Sequence, residues 1–249
     1  MRSSNKTRTI HALLAASALA IAQPAVADTI QLNSFWAGSG SASITFAAGG
    51  INYHDGSTSA GFTESGGAGG FKTYNLTIDP GKLAPFQSWC VDIFHSFSFA
   101  TNGNDTLKTA ESMFGATKAA DLGRLYTNHH NVVDSTSSTA TNEAAFQLAV
   151  WEIVNEKAGS AYNLTSGWLM ASGTGASVAQ GWLNELNYTP STSMYNVNIW
   201  AVDQGPSGWG PQDVAVFTPI PEPQTYLLLL AGLALLGFGA RQPRLQRAA

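Results

Sequence analysis

Residues 86–99 (FQSWCVDIFHSFSF) are the part of the sequence that most constrains the fold. Apolar and polar side chains alternate along them with a period of two, which predicts a β-strand with one apolar and one polar face. The apolar face holds Trp89, Val91, Ile93, Phe97 and Phe99, and the polar face holds Ser88, Cys90, Asp92, Ser96 and Ser98. Cys90 is the only cysteine of the chain. A cysteine acting as a small hydrophobic residue belongs among valine and isoleucine, so this position predicts another partner.

The rest of the chain changes from strands to helices and back to strands. Glycine-rich breaks separate β-prone runs over residues 29–79, which predicts three or four antiparallel strands before the cysteine strand. Helical spacing then predicts helices within residues 106–130, 141–157 and 177–186, and β-prone runs predict closing strands at 197–202 and 213–218. We therefore expect an α+β fold, an antiparallel β-sandwich or barrel with a helical insertion (about residues 106–186) between the cysteine strand and the last strands.

The helix predicted over residues 141–157, with Thr141 as its N-cap, is apolar on nearly every side. Gln147 and Trp151 are four positions apart and share one face of it. A helix of this kind is buried, so Gln147 is expected to be buried as well. A buried carboxamide costs a few kcal/mol unless its polar atoms find partners. Gln147 is therefore either part of a hydrogen-bond network or chemically altered.

The first 27 residues have the three parts of a secretory signal peptide. Arg2, Lys6 and Arg8 form a basic region, a short apolar run follows, and the triplet 25–27 (AVA) matches a cleavage site. We therefore expect the mature protein to begin at Asp28. Outside the cytosol a cysteine usually forms a disulfide, which a single cysteine cannot do within its own chain.

Residues 219–249 form a second targeting segment. The prolines of residues 219–223 exclude a helix or a central strand there. Residues 226–240 are apolar or small, and Arg241, Arg244 and Arg247 follow them. This run is shorter than the ~20 residues that span a bilayer, but arginines beside it can reach the interface. We expect a short transmembrane segment with its basic end in the cytoplasm.

This tail resembles the PEP-CTERM sorting signal of Gram-negative bacteria. The resemblance rests on Pro221-Glu222-Pro223, on the apolar segment with its glycine-rich end, and on the arginine cluster that includes Arg241 and Arg244. It implies that a membrane protease-transpeptidase, an exosortase, recognises the chain and processes it near Pro221. It also implies transient anchoring in the inner membrane, followed by release to the cell surface or the extracellular matrix.

The predicted domain between these two segments, residues 28–218, is acidic and contains few charges. Between positions 28 and 220 there are 15 acidic and six basic side chains. Binding of nucleic acid requires a basic patch for the phosphate backbone, and this domain lacks the side chains for one. We therefore expect no nucleic-acid partner.

Cys90 and Gln147 together predict a specific reaction. If the Cys90 sulfur attacks the Gln147 carboxamide and ammonia leaves, the product is an internal thioester, an acyl donor to an amine or hydroxyl. The thiol and carboxamide must be held in attack geometry, and water must be excluded, for which Phe86, Phe94, Phe146 and Trp151 are candidates. Asp92 or His95 could manage the protons.

Two short motifs around these residues resemble a known family, the thioester domains of bacterial surface proteins. The motifs are WCVD at residues 89–92 and FQLAVWE at residues 146–152. The resemblance implies a Cys90–Gln147 crosslink inside a β-rich fold with a helical insert, with Trp151 as the neighbouring helix aromatic. From the residues themselves we expect Trp89, Asp92 and Phe146 to support the pair. Many members have threonine where this chain has Phe146, and better-known members sit on long wall-anchored stalks that are absent here.

Two other classes of protein remain open. A cysteine hydrolase would use Cys90 as nucleophile and His129 or His130 as base, but a cysteine in the middle of a strand has no helix N-terminus to lower its pKa. The third class is a chemically inert matrix protein. His54 and His95 are scattered in the sequence without metal-ligand spacing, so we expect no metal and no cofactor. Our prediction is an exported surface or matrix protein, not an enzyme, that attaches covalently to an unknown surface amine or hydroxyl in adhesion or a biofilm matrix.

Overall fold

The computed structural model describes residues 27–95, 98–99, 101–134, 137–188, 192–202, 212–221, 228–234 and 236. The predicted signal peptide lies outside the described residues apart from Ala27. Glu222, Pro223, Arg241 and Arg244 of the sorting tail also lie outside them, and so do parts of the apolar run 226–240.

The order of elements along the chain is strands, helices and strands. The strands are β1 (Asp28–Phe35), β2 (Gly40–Phe46), β3 (Phe62–Ala68), β4 (Phe71–Asn75), β5 (Phe86–Cys90), β6 (Thr101–Thr109), β7 (Leu169–Gly173), β8 (Tyr195–Val202) and β9 (Val214–Pro219). The helices are α1 (Ala110–Phe114), α2 (Ala116–Val133), α3 (Ala140–Asn155) and α4 (Ala176–Tyr188). Four strands precede the cysteine strand β5, as the glycine-rich breaks predict.

Six strands close into an antiparallel barrel in the order β1-β4-β5-β9-β8-β6. A second antiparallel sheet has the order β3-β2-β7, and α3 contacts all three of its strands as well as β5. The predicted fold class is confirmed: the protein is α+β, with an antiparallel barrel and helices between the cysteine strand and the last strands.

Helix α3 lies at the centre of the molecule. Every residue from Glu143 to Asn155 is buried, because the helix is covered by α2, α4, β5 and the second sheet. Gln147 is 1% exposed, so its predicted burial is correct. The N-cap lies two residues before the predicted one: the Thr139 hydroxyl accepts a hydrogen bond from the backbone N–H of Asn142 at 3.2 Å, and the helix begins at Ala140.

The cysteine strand is shorter than the alternation predicts. Strand β5 ends at Cys90, and residues 91–95 are irregular. The last ladder bond runs from the N–H of Val91 to the carbonyl of Asp213 at 3.0 Å. The Asp92 carboxylate then accepts the N–H of Phe94 at 2.8 Å, which makes an Asx turn that takes the chain out of the sheet. The two-faced strand predicted up to residue 99 is therefore wrong for residues 91–95 and 98–99, and residues 96–97 lie outside the described part of the chain.

The first predicted helix also begins later than expected. Residues 106–109 belong to β6, which pairs with β8 from Asp105↔Val202 to Thr109↔Asn198. Pairing within the closed barrel overrides the helical spacing of Leu107 and its neighbours, since local propensity is a weak determinant beside tertiary contacts. The helical part of the chain starts at Ala110, and strand β7 lies within it.

Residues 228–234 and 236 near the C-terminus are helical and exposed. Within the described part of the chain, no helix combines the length and the apolar character that a membrane crossing needs.

Candidate functional site

The end of β5 opens into a cavity of about 270 Å3. The cavity lies between β5, α3, the second sheet and the segment that follows Cys90. The polar side chains that line it and bear on its chemistry are Cys90, Asp92, His95, Gln147 and Gln212, with Trp151 beside them. The fold thus brings both predicted crosslink residues to one cavity.

Gln147 replaces a missing strand partner of Cys90. The pairing of β4 with β5 ends at Phe71↔Ser88. Strand β4 therefore offers no partner to Cys90, two residues further along β5. The Gln147 carboxamide takes that place: its Oε1 accepts the Cys90 N–H at 3.1 Å, and its Nε2 donates to the Cys90 carbonyl at 2.6 Å. A side chain of α3 therefore continues the hydrogen-bond ladder of the barrel and satisfies its own buried amide.

Glu143 makes a similar contact one helical turn earlier. Its Oε2 accepts the Gly70 N–H at 3.2 Å and the Gln87 side-chain amide at 2.9 Å. A Cβ on Gly70 would lie 2.6 Å from that oxygen, so glycine is required for this approach. Glu143 and Gln147 are four residues apart and share a face of α3, which therefore binds the barrel where the β4–β5 pairing stops.

The Cys90 thiol is buried and protonated. It lies 2.9 Å from the carbonyl oxygen of Asp92 and 3.0 Å from Oε1 of Gln212, two acceptors for its single proton. Burial raises the pKa of the thiol well above its ordinary value, and the Asp92 charge adds to that rise, while the indole N–H of Trp151 acts in the opposite direction. The resting side chain is therefore a neutral thiol and not a thiolate.

Asp92 is fully buried between two histidines. Its Oδ2 lies 2.6 Å from His95 Nδ1, and its Oδ1 lies 3.2 Å from His54 Nε2. Burial alone would raise the pKa of Asp92, but the two neighbouring imidazoles of His54 and His95 outweigh burial and lower it. The hydrogen bond to Asp92 raises the pKa of His95. The carboxylate is therefore charged, and His95 holds its proton more readily than an imidazole without this partner.

Gln212 connects the thiol to this cluster, and nothing in the sequence points to it. Its Nε2 donates to the carbonyls of Asp92 at 3.1 Å and of His95 at 2.6 Å, while its Oε1 faces the Cys90 sulfur. The neighbouring Asp213 accepts the Val202 N–H at 2.8 Å. Both residues lie just before β9, so only the closure of the barrel brings them to the site.

Of the other predicted supporting residues, one lines the cavity and two lie in a neighbouring aromatic cluster. Trp151 lines the cavity. Trp89 and Phe146 pack against each other with ring centroids 4.6 Å apart, in an aromatic cluster that includes Tyr126 and Phe217. These two side chains hold β5 and α3 together, which fixes the relative position of Cys90 and Gln147.

The histidines of the hydrolase alternative have other contacts. His129 stacks on Trp182 with ring centroids 4.3 Å apart, and burial lowers its pKa to about 4. His130 Nδ1 lies 3.1 Å from the Thr127 carbonyl. The hydrogen bonds that the structure gives to the Cys90 thiol go to Asp92 and Gln212, so the described residues show no thiol–imidazole pair with these two histidines.

Comparison with known proteins bears on the end of the chain. Residues 219–244 match the family model described as the PEP-CTERM protein-sorting motif. No curated protein and no solved structure matches the chain. The predicted sorting tail is thereby confirmed, and it indicates an exported protein that an exosortase processes after transient membrane anchoring. The likeness of residues 89–92 and 146–152 to thioester domains stays a prediction.

Proposed function

We propose that this protein forms an internal thioester between Cys90 and Gln147 and uses it to attach covalently to a nucleophile on a partner surface. The observation that carries the proposal is the double hydrogen bond between the Gln147 carboxamide and the main chain of Cys90, at 3.1 and 2.6 Å. Both polar atoms of the amide contact the residue whose sulfur would attack it. The two residues are therefore in direct contact, buried, and line one cavity from a strand and a helix, which favours an intramolecular reaction.

The bonds and protons of crosslink formation balance without a cofactor. The sulfur of Cys90 bonds to Cδ of Gln147, the Cδ–Nε2 bond breaks, and the thiol proton leaves with the nitrogen as ammonia. His95 and the Asp92 carboxylate are the groups placed to carry that proton, because both line the same cavity. The sulfur must turn from its acceptors on Asp92 and Gln212 toward the carboxamide, and the cavity provides room for ammonia to leave.

The second step is acyl transfer. An incoming amine bonds to the Gln147 carbonyl carbon, the carbon–sulfur bond breaks, and the amine proton returns to Cys90 as a thiol. The product is an amide, so each molecule reacts once and the protein is a reagent rather than an enzyme. Delivery by the sorting tail places this reagent outside the cell, where it serves in adhesion or in a biofilm matrix.

An amine fits the surroundings of the cavity better than a hydroxyl. Glu64 lies at the cavity beside Gly66 and Gly67 of β3, so a carboxylate stands next to a wall made of small residues. The domain as a whole is also acidic. Both features attract a cationic lysine side chain or polyamine and raise its local concentration near the thioester.

Intact mass and peptide mapping of the exported protein test the proposal. The thioester form is lighter than its sequence by one ammonia, and its Cys90 resists alkylation under denaturing conditions. Exposure to methylamine restores an alkylatable thiol and leaves methylamide on Gln147. The matched variants Cys90→Ala and Gln147→Ala should show neither the missing mass nor the adduct. A full-mass protein with a freely alkylated Cys90 refutes the proposal and leaves Gln147 as a structural amide in an inert matrix protein.

A further inference from the structure

Three side chains that are far apart in the sequence converge beside the Cys90 cavity. His54 lies in the connection between β2 and β3, while Asp92 and His95 lie in the irregular segment after β5. Each offers one donor atom, and these donor atoms all lie within 4.8 Å of one another. We propose that His54, Asp92 and His95 form a binding site for a divalent transition-metal ion of the Zn2+ class.

The spacing of the donor atoms suits such an ion. Bond lengths of about 2.0–2.1 Å place the ligand atoms of a tetrahedral zinc about 3.3 Å apart. His54 Nε2 lies 3.2 Å from Asp92 Oδ1, and His95 Nδ1 lies 2.6 Å from Asp92 Oδ2. Shifts of under about 1 Å would convert these contacts into ligand–ligand distances. Two imidazoles and one carboxylate are also donors that zinc, copper, iron and nickel bind readily.

His54 supplies an independent observation. Its Nε2 is buried and makes no hydrogen bond within the described residues, although it lies 3.2 Å from the Asp92 oxygen. The nitrogen is thus close to the carboxylate without the alignment that a hydrogen bond needs. Leaving such an atom without a partner costs free energy, and a coordinated cation would remove that cost.

Neighbouring groups hold the three side chains in position. The His54 ring stacks on Tyr53 with centroids 4.1 Å apart, and its Nδ1 faces Asp213 Oδ2 at 3.8 Å. The Tyr53 hydroxyl donates to the same Asp213 oxygen at 3.2 Å. A carboxylate behind a ligating imidazole is the usual second partner of a metal-binding histidine, because it fixes the tautomer and the ring orientation.

The ion would connect two parts of the fold that the chain leaves separate. It would tie the β2–β3 connection to the segment that follows Cys90, and three protein ligands leave a fourth position for water or another donor. The Cys90 sulfur is not one of the converging donor atoms. This inference therefore does not rest on thioester formation. The two proposals share Asp92 and His95, which carry a proton only while no ion holds them, but each proposal can fail separately.

Metal binding is tested on full-length protein without a histidine tag, stripped with a chelator and titrated with Zn2+ by calorimetry. We expect one equivalent to bind, and we expect His54→Gln and His95→Gln each to weaken binding at least tenfold. His130→Gln is the matched control and should bind as the wild type does. Cys90→Ala should also retain binding, since loss of binding in that variant would assign the ion to the thiol and overturn the proposal.

The wild-type protein decides the question if either ligand variant fails to fold. Co2+ in the proposed site gives the intense visible absorption of a four-coordinate ion, without a thiolate charge-transfer band. Zn2+ should also raise the midpoint of thermal unfolding as its concentration increases, because it binds only the folded state. Absence of saturable Zn2+ binding, an octahedral Co2+ spectrum, or unchanged affinity in both ligand variants would overturn the proposal and leave a carboxylate–imidazole network.

Discussion

A double-mutant cycle on Cys90 and Gln147 should show a large coupling free energy if the thioester forms. The Gln147 amide contacts the backbone of Cys90, and Cys90→Ala leaves that backbone unchanged. Without a crosslink the two substitutions therefore perturb different groups, and their effects on the free energy of unfolding should add within about 0.5 kcal/mol. With a crosslink, either single substitution removes the same covalent bond.

The size of the coupling follows from the length of chain that the bond closes. Cys90 and Gln147 are 57 positions apart. The loop-entropy relation used for disulfides gives about 4 kcal/mol for a closed loop of that length. Each single variant loses this contribution once, and the double variant also loses it only once, so we expect a coupling of about 4 kcal/mol. Gln147→Ala should be the more destabilising single change. Cys90→Ala keeps the Gln147 amide and both of its hydrogen bonds to residue 90, whereas Gln147→Ala leaves the buried N–H and carbonyl of that residue without partners, at about 1–3 kcal/mol each.

Urea unfolding followed by tryptophan fluorescence measures the four free energies, with linear extrapolation to water. Methylamine-treated wild type provides an internal comparison, because it loses the crosslink without a substitution. Gln87 allows a control cycle, since it lies on the same strand three residues from Cys90, about 10 Å along β5. Cys90→Ala with Gln87→Ala should be additive. A coupling below about 0.5 kcal/mol in the Cys90–Gln147 cycle refutes the reasoning.

Two further predictions concern α3 and the barrel edge it binds. Burial raises the pKa of Glu152 from 4.5 to about 8, so the folded state holds this proton more tightly than the unfolded state, and stability should fall as the pH rises from about 4.5 to about 8. The free energy of unfolding of Glu152→Gln, measured with urea at several pH values, should vary less with pH than that of the wild type. Equal pH dependence in the two proteins would contradict a raised pKa of Glu152. Gly70→Ala should destabilise the fold by about 1–3 kcal/mol, because its Cβ would lie 2.6 Å from Glu143 Oε2. A Cβ on Gly181 would meet no atom within 4 Å, so Gly181→Ala should stabilise α4 by up to about 1 kcal/mol. Thermal unfolding of both variants checks this pair, and a destabilised Gly181→Ala variant would contradict the second half.

The sequence predicts the parts of this fold that depend on local pattern. Apolar residues on every side of α3 predict its burial, and with it the burial of Gln147. The glycine-rich breaks predict three or four strands before Cys90, where the structure has four, and the β-prone runs predict β8 and β9. The three-part tail predicts the sorting motif that residues 219–244 match. In each case the signal lies within a few neighbouring residues.

The parts that the sequence does not predict depend on barrel closure. Thr106 to Thr109 look helical but pair with β8, because the barrel requires a strand there. Alternation continues past Cys90, but the ladder ends where Val91 bonds to Asp213, a residue more than a hundred positions away. His54, Asp92 and Gln212 have no spacing in the sequence that connects them. The candidate site is therefore only partly predictable from the sequence. Cys90, Gln147 and the neighbouring Asp92 and His95 follow from local sequence, whereas His54 and Gln212 join the site only through the tertiary fold.

Cys90 occupies the last ladder position of β5, and that position explains why the Gln147 carboxamide binds its main chain. On one side β9 pairs with it, at Cys90↔Val214. On the other side β4 has already ended, and the amide of Gln147 completes the ladder. A backbone partner would satisfy the same groups but would place no electrophilic carbon beside a sulfur. A side-chain amide satisfies the ladder and also brings its carbonyl carbon to the residue that carries the sulfur, so the proposed thioester depends on the same interaction that completes the sheet.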